Sequence, residues 1–410
     1  MTTDNDSRRL TLVERIQQDF PNTPTLAVPM HCADNKPQHE PHQYHYADIT
    51  VLFDATTTTA ETRQSEFAVL GDLRDDELAA TVARLGTRQH GSRLLQRLLQ
   101  TLPYADEQRL LAALVRVLPA LWTDPFGNYL AQALFDVAHP PAAPTLAAQR
   151  LAGHVAVLAC DPYGCRVVQK ALQRADTPTA AALAGELRGR VCACAQDACG
   201  NHVLQRVAEC VPLCCVPFVP AELCGHAAVL ACDRCACRVL QRLLEHNTGA
   251  EAAAAVFAPV LHELCAALPR LLTDPFGGYV AQCVAVHGGA AQHRAVLAAL
   301  RGRVVELARH PLACGTIEAC LVHACADNVA ACVLPELAGP RGDGAPLLAV
   351  LGTRPGAAVV ARCLACFPPP ARARLAALVR HHAPRLQHRP HCRRVLALSA
   401  SLAPSSSVQN

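Results

Sequence analysis

From residue 89 onward, apolar and polar positions recur in one phrase about a dozen residues long. Thr123 to Leu134 reads TDPFGNYLAQAL, and Thr273 to Val284 reads TDPFGGYVAQCV. The phrase returns as QHGSRLLQRLL from Gln89, DPYGCRVVQKAL from Asp161, DACGNHVLQRVA from Asp197, DRCACRVLQRLL from Asp233, HPLACGTIEACL from His310 and TRPGAAVVARCL from Thr353. Aligned small residues in the eight copies are Gly91, Gly127, Gly164, Gly200, Ala236, Gly277, Ala313 and Gly356, separated by 36, 37, 36, 36, 41, 36 and 43 residues. A period of that size marks a solenoid of stacked units, each unable to bury its apolar face alone. The 410 residues therefore predict one repeat array, not two or three globules. The two long steps coincide with insertions, Asn247 to Glu251 and GPRGDGAP from Gly339.

The phrase itself predicts a helix. In the second copy Asp124 can cap the helix and Pro125 suits its first position. Phe126, Leu130 and Leu134 then recur every fourth residue and predict a buried stripe. Apolar runs upstream of the phrase, such as Arg109 to Leu121 or Ala147 to Ala159, predict a further helix in each unit. Two or three helices per unit make an all-α, right-handed α-solenoid. Glu66 to Leu85 reads as an N-terminal cap. HCRRVL at His391 to Leu396 lies 35 residues after Gly356 and reads as a decayed ninth unit serving as C-terminal cap. The expected layout is a disordered, His- and Pro-rich extension over 1–60, the repeat domain with its caps over 61–400, and a frayed tail over 401–410. One helix, Thr11 to Phe20, is expected within the extension.

Composition refines this picture. Hydrophobic residues make up 51% of the chain, enough to exclude wholesale disorder, and aromatics only 4%. The net charge of +3 averages two unlike regions. Residues 1–80 carry six Lys/Arg against fourteen Asp/Glu, a net −8, and residues 81–410 carry 31 against 20, a net +11. MTTDNDSRRL at the N-terminus has no apolar core of a secretory signal. The most apolar stretch, Ala252 to Leu261, holds Pro259 and meets His262 and Glu263 at about half the length of a bilayer span. No membrane partner and a cytoplasmic location are therefore expected, and there the 22 cysteines would be reduced thiols packing as small hydrophobes.

Catalytic and metal chemistry find little support in the sequence. Cys232 and Cys235 form a C-x-x-C pair, as do Cys363 and Cys366, but the pairs are 131 residues apart on different units, unlike a compact zinc module. His31, His39, His42 and His45 read as composition bias of the extension. No local signature singles out a nucleophile, and the glycines form no phosphate loop. The expectation is a binding protein that is not an enzyme and needs no cofactor and no metal.

Three positions in each phrase stand outside the apolar stripe: the two after the small residue and the one three further on. Residues i and i+4 lie one above the other on a helix with i+1 beside them, so all three are expected on one face. In order they are Ser92/Arg93/Gln96, Asn128/Tyr129/Gln132, Cys165/Arg166/Gln169, Asn201/His202/Gln205, Cys237/Arg238/Gln241, Gly278/Tyr279/Gln282, Cys314/Gly315/Glu318 and Ala357/Ala358/Ala361. The middle position runs Arg, Tyr, Arg, His, Arg, Tyr over six units, planar groups able to stack between unpaired bases. The outer positions carry amides, a hydroxyl, thiols and a carboxylate, which can address base edges.

These residues resemble the Pumilio (PUF) family of single-stranded RNA-binding proteins over roughly residues 62–400. In that family one base is read per helical repeat. The resemblance implies that Asn with Gln matches uracil, that Cys or Ser with Gln and a stacking Arg matches adenine, and that Glu318 matches guanine. It also implies an RNA running antiparallel to the protein, hence the site 5′-nGUAUAUA-3′, with the base facing unit four least constrained. Gly278, Gly315 and the all-Ala triad of unit eight depart from the pattern. They imply a less selective uracil at unit six, a guanine without a stacking platform at unit seven and no reading at unit eight. The resemblance further implies a monomer acting on mRNA 3′-UTRs in post-transcriptional control of stability or translation, with a deadenylase or translational repressor complex as protein partner. An armadillo- or HEAT-like scaffold is the alternative, but it gives no reason for Gln or Glu at one offset in seven of eight units. A nucleolar, rRNA-processing relative is another, and the near-complete triads argue against it.

Overall fold

The computed structural model describes residues 73–102, 104–136, 142–247 and 251–402, all within a unit spanning Ala60–Asn410. The expected helix at Thr11 to Phe20, the histidine cluster and the last residues of the tail lie outside the described residues. All regular structure in the described residues is helical.

Every copy of the phrase opens a helix. These inner helices are α1 (Gln89–Thr101), α2 (Gly127–Ala133), α3 (Gly164–Arg174), α4 (Gly200–Cys210), α5 (Ala236–Asn247), α6 (Gly277–His287), α7 (Ala313–His323) and α8 (Arg354–Cys366). A ninth, α9 (Arg393–Ser401), stands where HCRRVL predicts a cap, and Asp75–Gly86 supplies a helix ahead of α1. Each inner helix packs against the next in sequence order, from α1 to α9. Outer helices stack likewise, for example 142–151 on 104–121 and 326–338 on 290–300. The described residues form an all-α solenoid with a core between its layers. Leu94, Leu95, Leu130, Val167, Val203, Leu240, Val280, Ile317 and Val360 from the inner helices are buried there. Burial of each large one is worth about 1.5–3 kcal/mol.

The small residue that defines the period sits where two backbones nearly touch. A Cβ on Gly91 would lie 2.3 Å from the Leu85 carbonyl oxygen, and one on Gly356 would lie 2.1 Å from that of Val350. The start of each inner helix is thus pressed against the end of the helix before it; six units meet this approach with Gly, and units five and seven carry Ala236 and Ala313 at the same position. The acidic residue three places earlier caps the turn. Asp124 Oδ1 accepts from the amides of Phe126 at 2.9 Å and Gly127 at 2.6 Å. Asp161, Asp197, Asp233 and Asp274 do the same in their units. In unit seven His310 Nδ1 is the acceptor, and in unit eight Thr353 Oγ1 accepts from the Gly356 amide. Regular helix begins at Gly127, so Pro125 lies in the capping turn, two residues ahead of the first helical position expected for it. Phe126 also differs from expectation. It precedes the helix and is 38% exposed, whereas Leu130 and Leu134 are buried.

The run Ala147 to Ala159 is two helices, not one. It breaks at Gly153, whose φ of +84° separates Ala142–Leu151 from Val155–Leu158. A carboxylate from the next unit holds that break. Glu186 accepts from the amides of Gly153 at 2.7 Å and Val155 at 2.9 Å. Glu222 repeats this on Gly189 and Val191, Glu263 on Gly225 and Ala228, and Glu336 on Gly302 and Val304. Units two and six have no such break. Their outer helices run unbroken as Tyr104–Leu121 and Glu251–Leu271 despite Pro119, Pro259 and Pro269. The apolar stretch from Ala252 therefore extends well past Glu263. Its window Ala254–Leu271 is long and apolar enough to cross a membrane, but Phe257, Val260, Leu264, Leu268 and Leu271 are buried against neighbouring helices of the stack.

Candidate nucleic-acid interface

The sequence places the three triad positions side by side, and the structure ranks them by depth. The middle residues stand outward: Arg93, Tyr129, Arg166 and His202 are exposed, and Arg238 and Tyr279 are half-exposed. The glutamines at 96, 132, 169, 205 and 241 are half-buried. The first residues do not project with the others. Ser92, Asn128, Cys165, Asn201, Cys237, Gly278 and Ala357 are buried. They lie in the first helical turn, where carbonyls of the capping turn and of the neighbouring unit are within reach.

This depth gives the first residue a second task. Asn128 Nδ2 donates to the carbonyls of Asp124 and Pro125, both at 2.9 Å, which turns Oδ1 toward Gln132. Gln132 Nε2 donates to that oxygen at 3.0 Å. Asn201 repeats the arrangement, with Gln205 Nε2 at 2.8 Å. Ser92 Oγ donates to the Phe126 carbonyl of the next unit at 2.8 Å and accepts from Gln96 Nε2 at 3.0 Å. In all three units the glutamine spends one N–H internally and keeps its Oε1 and its other N–H for a partner outside. The thiols turn inward: Cys165 Sγ donates to the Pro162 carbonyl, Cys237 Sγ to that of Arg234 and Cys314 Sγ to that of Pro311. Burial pushes each of these thiols up to about 12, so all three are neutral at physiological pH.

Charge around the ladder is arranged in rungs that the sequence reading missed. Lys170 and Arg174 of α3 both reach Asp136, which follows α2, at 2.7 and 2.6 Å. Arg242 of α5 bridges Glu209 of α4 and Glu245 of its own helix, and Glu209 also holds Arg206 at 2.7 Å. The signal was a basic residue directly after the glutamine in several units, as in Gln169-Lys170, Gln205-Arg206 and Gln241-Arg242. Although His202 stands outward, partial loss of water around its ring is the largest influence on it, and with Arg238 and Arg166 beside it holds the ring below the ordinary imidazole range. The ring is therefore a neutral, flat surface at pH 7. Glu318 of α7 is raised above the ordinary carboxylate range by burial, partly offset by the positive charges of Arg362 and Arg394.

Two triads depart from the rest. Gln282 is 8% exposed, and its Nε2 points to the Leu312 carbonyl at 3.4 Å, away from the outer face. In unit eight Ala357 and Ala361 are buried and Ala358 is half-buried, which leaves α8 without a polar group at these positions. The paired cysteines gather no metal-binding set. Cys363 is buried, Cys232 is held by the Arg270 guanidinium at 3.4 Å, and among the described residues no three His, Cys, Asp or Glu side chains converge.

Five stretches, residues 84–115, 154–188, 190–212, 226–254 and 303–334, match the model of the Pumilio-family RNA binding repeat. Pumilio homolog 1 of Xenopus laevis is 37% identical over 97 residues, 24% of this chain and 8% of that protein. Pumilio homolog 12 of Arabidopsis thaliana is 31% identical over 101 residues, 24% of this chain and 17% of the relative. The chain thus spans only a small part of the length of these relatives. Among solved structures, PUF-8 in complex with PBE-RNA superposes with a TM-score of 0.72 at 23% identity, covering 83% of this chain and 99% of that one. The Puf4 RNA binding domain bound to the HO endonuclease RNA 3′-UTR recognition sequence superposes with a TM-score of 0.63 at 25% identity, covering 77% and 97%.

Proposed function

We propose, from the premise that this chain carries Pumilio-family repeats, that it binds single-stranded RNA in a sequence-specific manner, one base per unit, at sites related to 5′-nGUAUAUA-3′. One observation carries the reading: six glutamines and Glu318 occupy one offset on helices stacked in sequence order, each beside an outward planar residue in units one to six. A base entering between successive planar groups would be held by stacking, worth about 1–3 kcal/mol per base, while the glutamine meets its edge. Asn128 and Asn201 pre-orient the glutamine so that Oε1 can accept uracil N3–H, with an N–H left for a carbonyl. The uncharged thiols of Cys165 and Cys237 leave room for adenine without placing a charge against it. Glu318, once ionised, can accept from both guanine N1–H and the exocyclic amine.

The fold and the ligands named for its structural neighbours favour RNA over a protein-binding scaffold, and nothing in the ladder resembles catalytic machinery. We further place the protein in the cytoplasm, acting as a monomer on mRNA 3′-UTRs to control stability or translation through a recruited deadenylase or repressor complex. Binding of the full chain to 5′-AGUAUAUA-3′ and to the same bases in shuffled order tests the core of the reading. Preference for the ordered RNA supports it, and equal affinity for both would refute it.

A further inference from the structure

We infer that unit six does not read a base edge: Gln282 is withdrawn into a recess left open by Gly315 of unit seven, so the RNA position facing unit six accepts all four bases. The inference rests on the RNA reading above and sharpens it, because unit six otherwise stands for a uracil.

The six ladder glutamines provide the comparison. Five are half-buried at the outer face and Gln282 alone among them is buried, at 8% exposure. Two differences accompany that change. The first lies in its own unit, where Gly278 replaces the Asn or Ser that ties Gln96, Gln132 and Gln205 in place. The second lies in the next unit. After Gln96, Gln132, Gln169, Gln205 and Gln241, the following unit offers Tyr129, Arg166, His202, Arg238 and Tyr279 at its middle position. After Gln282 it offers Gly315. A Cβ there would lie 2.9 Å from both Cδ and Nε2 of Gln282 and 3.1 Å from Oε1, so the amide occupies space that a side chain at 315 would deny it. Its Nε2 is directed at the Leu312 carbonyl in the turn that begins α7.

A base facing unit six then has Tyr279 on one side and no side chain from Gly315 on the other. Stacking on one ring distinguishes bases poorly, because every base has a π-face. To read an edge, Gln282 would have to leave its buried position with no side chain at 278 to hold it outward. The two glycines act together: one removes the tether and the other opens the recess.

The geometry also says how to restore reading. A Cβ on Gly278 would meet nothing closer than 3.7 Å, ordinary contact, so Asn can be placed there without displacing backbone. A side chain at 315 would push only the mobile end of Gln282. The test measures binding of the full chain, by fluorescence anisotropy, to four RNAs of the form 5′-AGNAUAUA-3′ differing at the base facing unit six, with an adenine-to-cytosine change facing unit three as control. The wild type is expected to bind all four within about threefold, and the G278N/G315R double variant to prefer uracil by about tenfold or more, as one well-made pair of edge contacts supplies. A tenfold uracil preference in the wild type overturns the inference. So does a double variant that melts like the wild type yet gains no preference. Indifference to the control change as well would sink the RNA reading itself, and this inference with it.

Discussion

Glu318, proposed above to read guanine, is a residue that burial makes costly to ionise in the folded state. Burial raises its carboxyl above the ordinary range, so the folded state holds that proton more tightly than the unfolded chain does. Stability from this group is therefore present below the ordinary carboxylate value and is lost as pH rises through the raised one. Glu318→Gln removes the buried charge, and its melting temperature at pH 7 should exceed that of the wild type. The same substitution should erase the preference for guanine over adenine facing unit seven while leaving the A/U positions unchanged. Since guanine calls for the anion, affinity for a guanine-containing RNA should fall on moving from neutral to mildly acid pH, and that of Glu318→Gln should not. Thermal melts and paired binding curves across pH check all three. A variant less stable at pH 7 that keeps its guanine preference would mean the carboxylate has another task.

At the scale of the helix, the repeat is held by two devices that differ in how plainly they are written. The small residue of the phrase is legible as a period, and its reason appears only in three dimensions, where a Cβ at Gly356 would lie 2.1 Å from the Val350 carbonyl. Gly356→Ala should cost about 1–3 kcal/mol by overpacking, read from denaturant unfolding of the full chain. The carboxylate that bridges outer turns is just as periodic: Glu186 and Glu222 are 36 residues apart, as are Gly153 and Gly189. It escaped the sequence reading because a Glu and a Gly 33 residues apart share no local pattern, and only stacking brings them together. Glu222→Ala should cost about 1–2 kcal/mol through the loss of two amide contacts to a carboxylate, and Glu222→Gln less. Register and helix type were thus legible from apolar spacing. The split of Ala147 to Ala159 was not, since Gly153 looks like any helix interior glycine until its φ is known. The burial of Asn128 and Asn201 was hidden too, because spacing assigns a helix face but not a depth. The withdrawal of Gln282 was hidden for a different reason, being caused by a side chain missing from the following unit.

Along the described solenoid, repetition sets side chains of one offset in a row, and the charge around them bears on the proposed RNA binding. The region from residue 81 onward carries a net +11, yet Lys170, Arg174, Arg206 and Arg242 are paired with Asp136, Glu209 and Glu245. Cations tied in this way keep the helices in register and add less to attraction for phosphate than their number suggests. RNA affinity should still fall with salt: if about three phosphates are contacted, roughly tenfold or more is lost between about 50 and 200 mM monovalent salt. A salt-independent affinity would point to recognition without the backbone.

In the proposed mode of binding, successive units address successive bases. Selection of the full chain against a library of random single-stranded RNA tests it most directly. The enriched motif should carry guanine toward its 5′ end, an unspecified base after it, and adenines at alternate positions facing units five, three and one. Enrichment of no motif, or of one whose order cannot be laid along the helices at one base per unit, would contradict it.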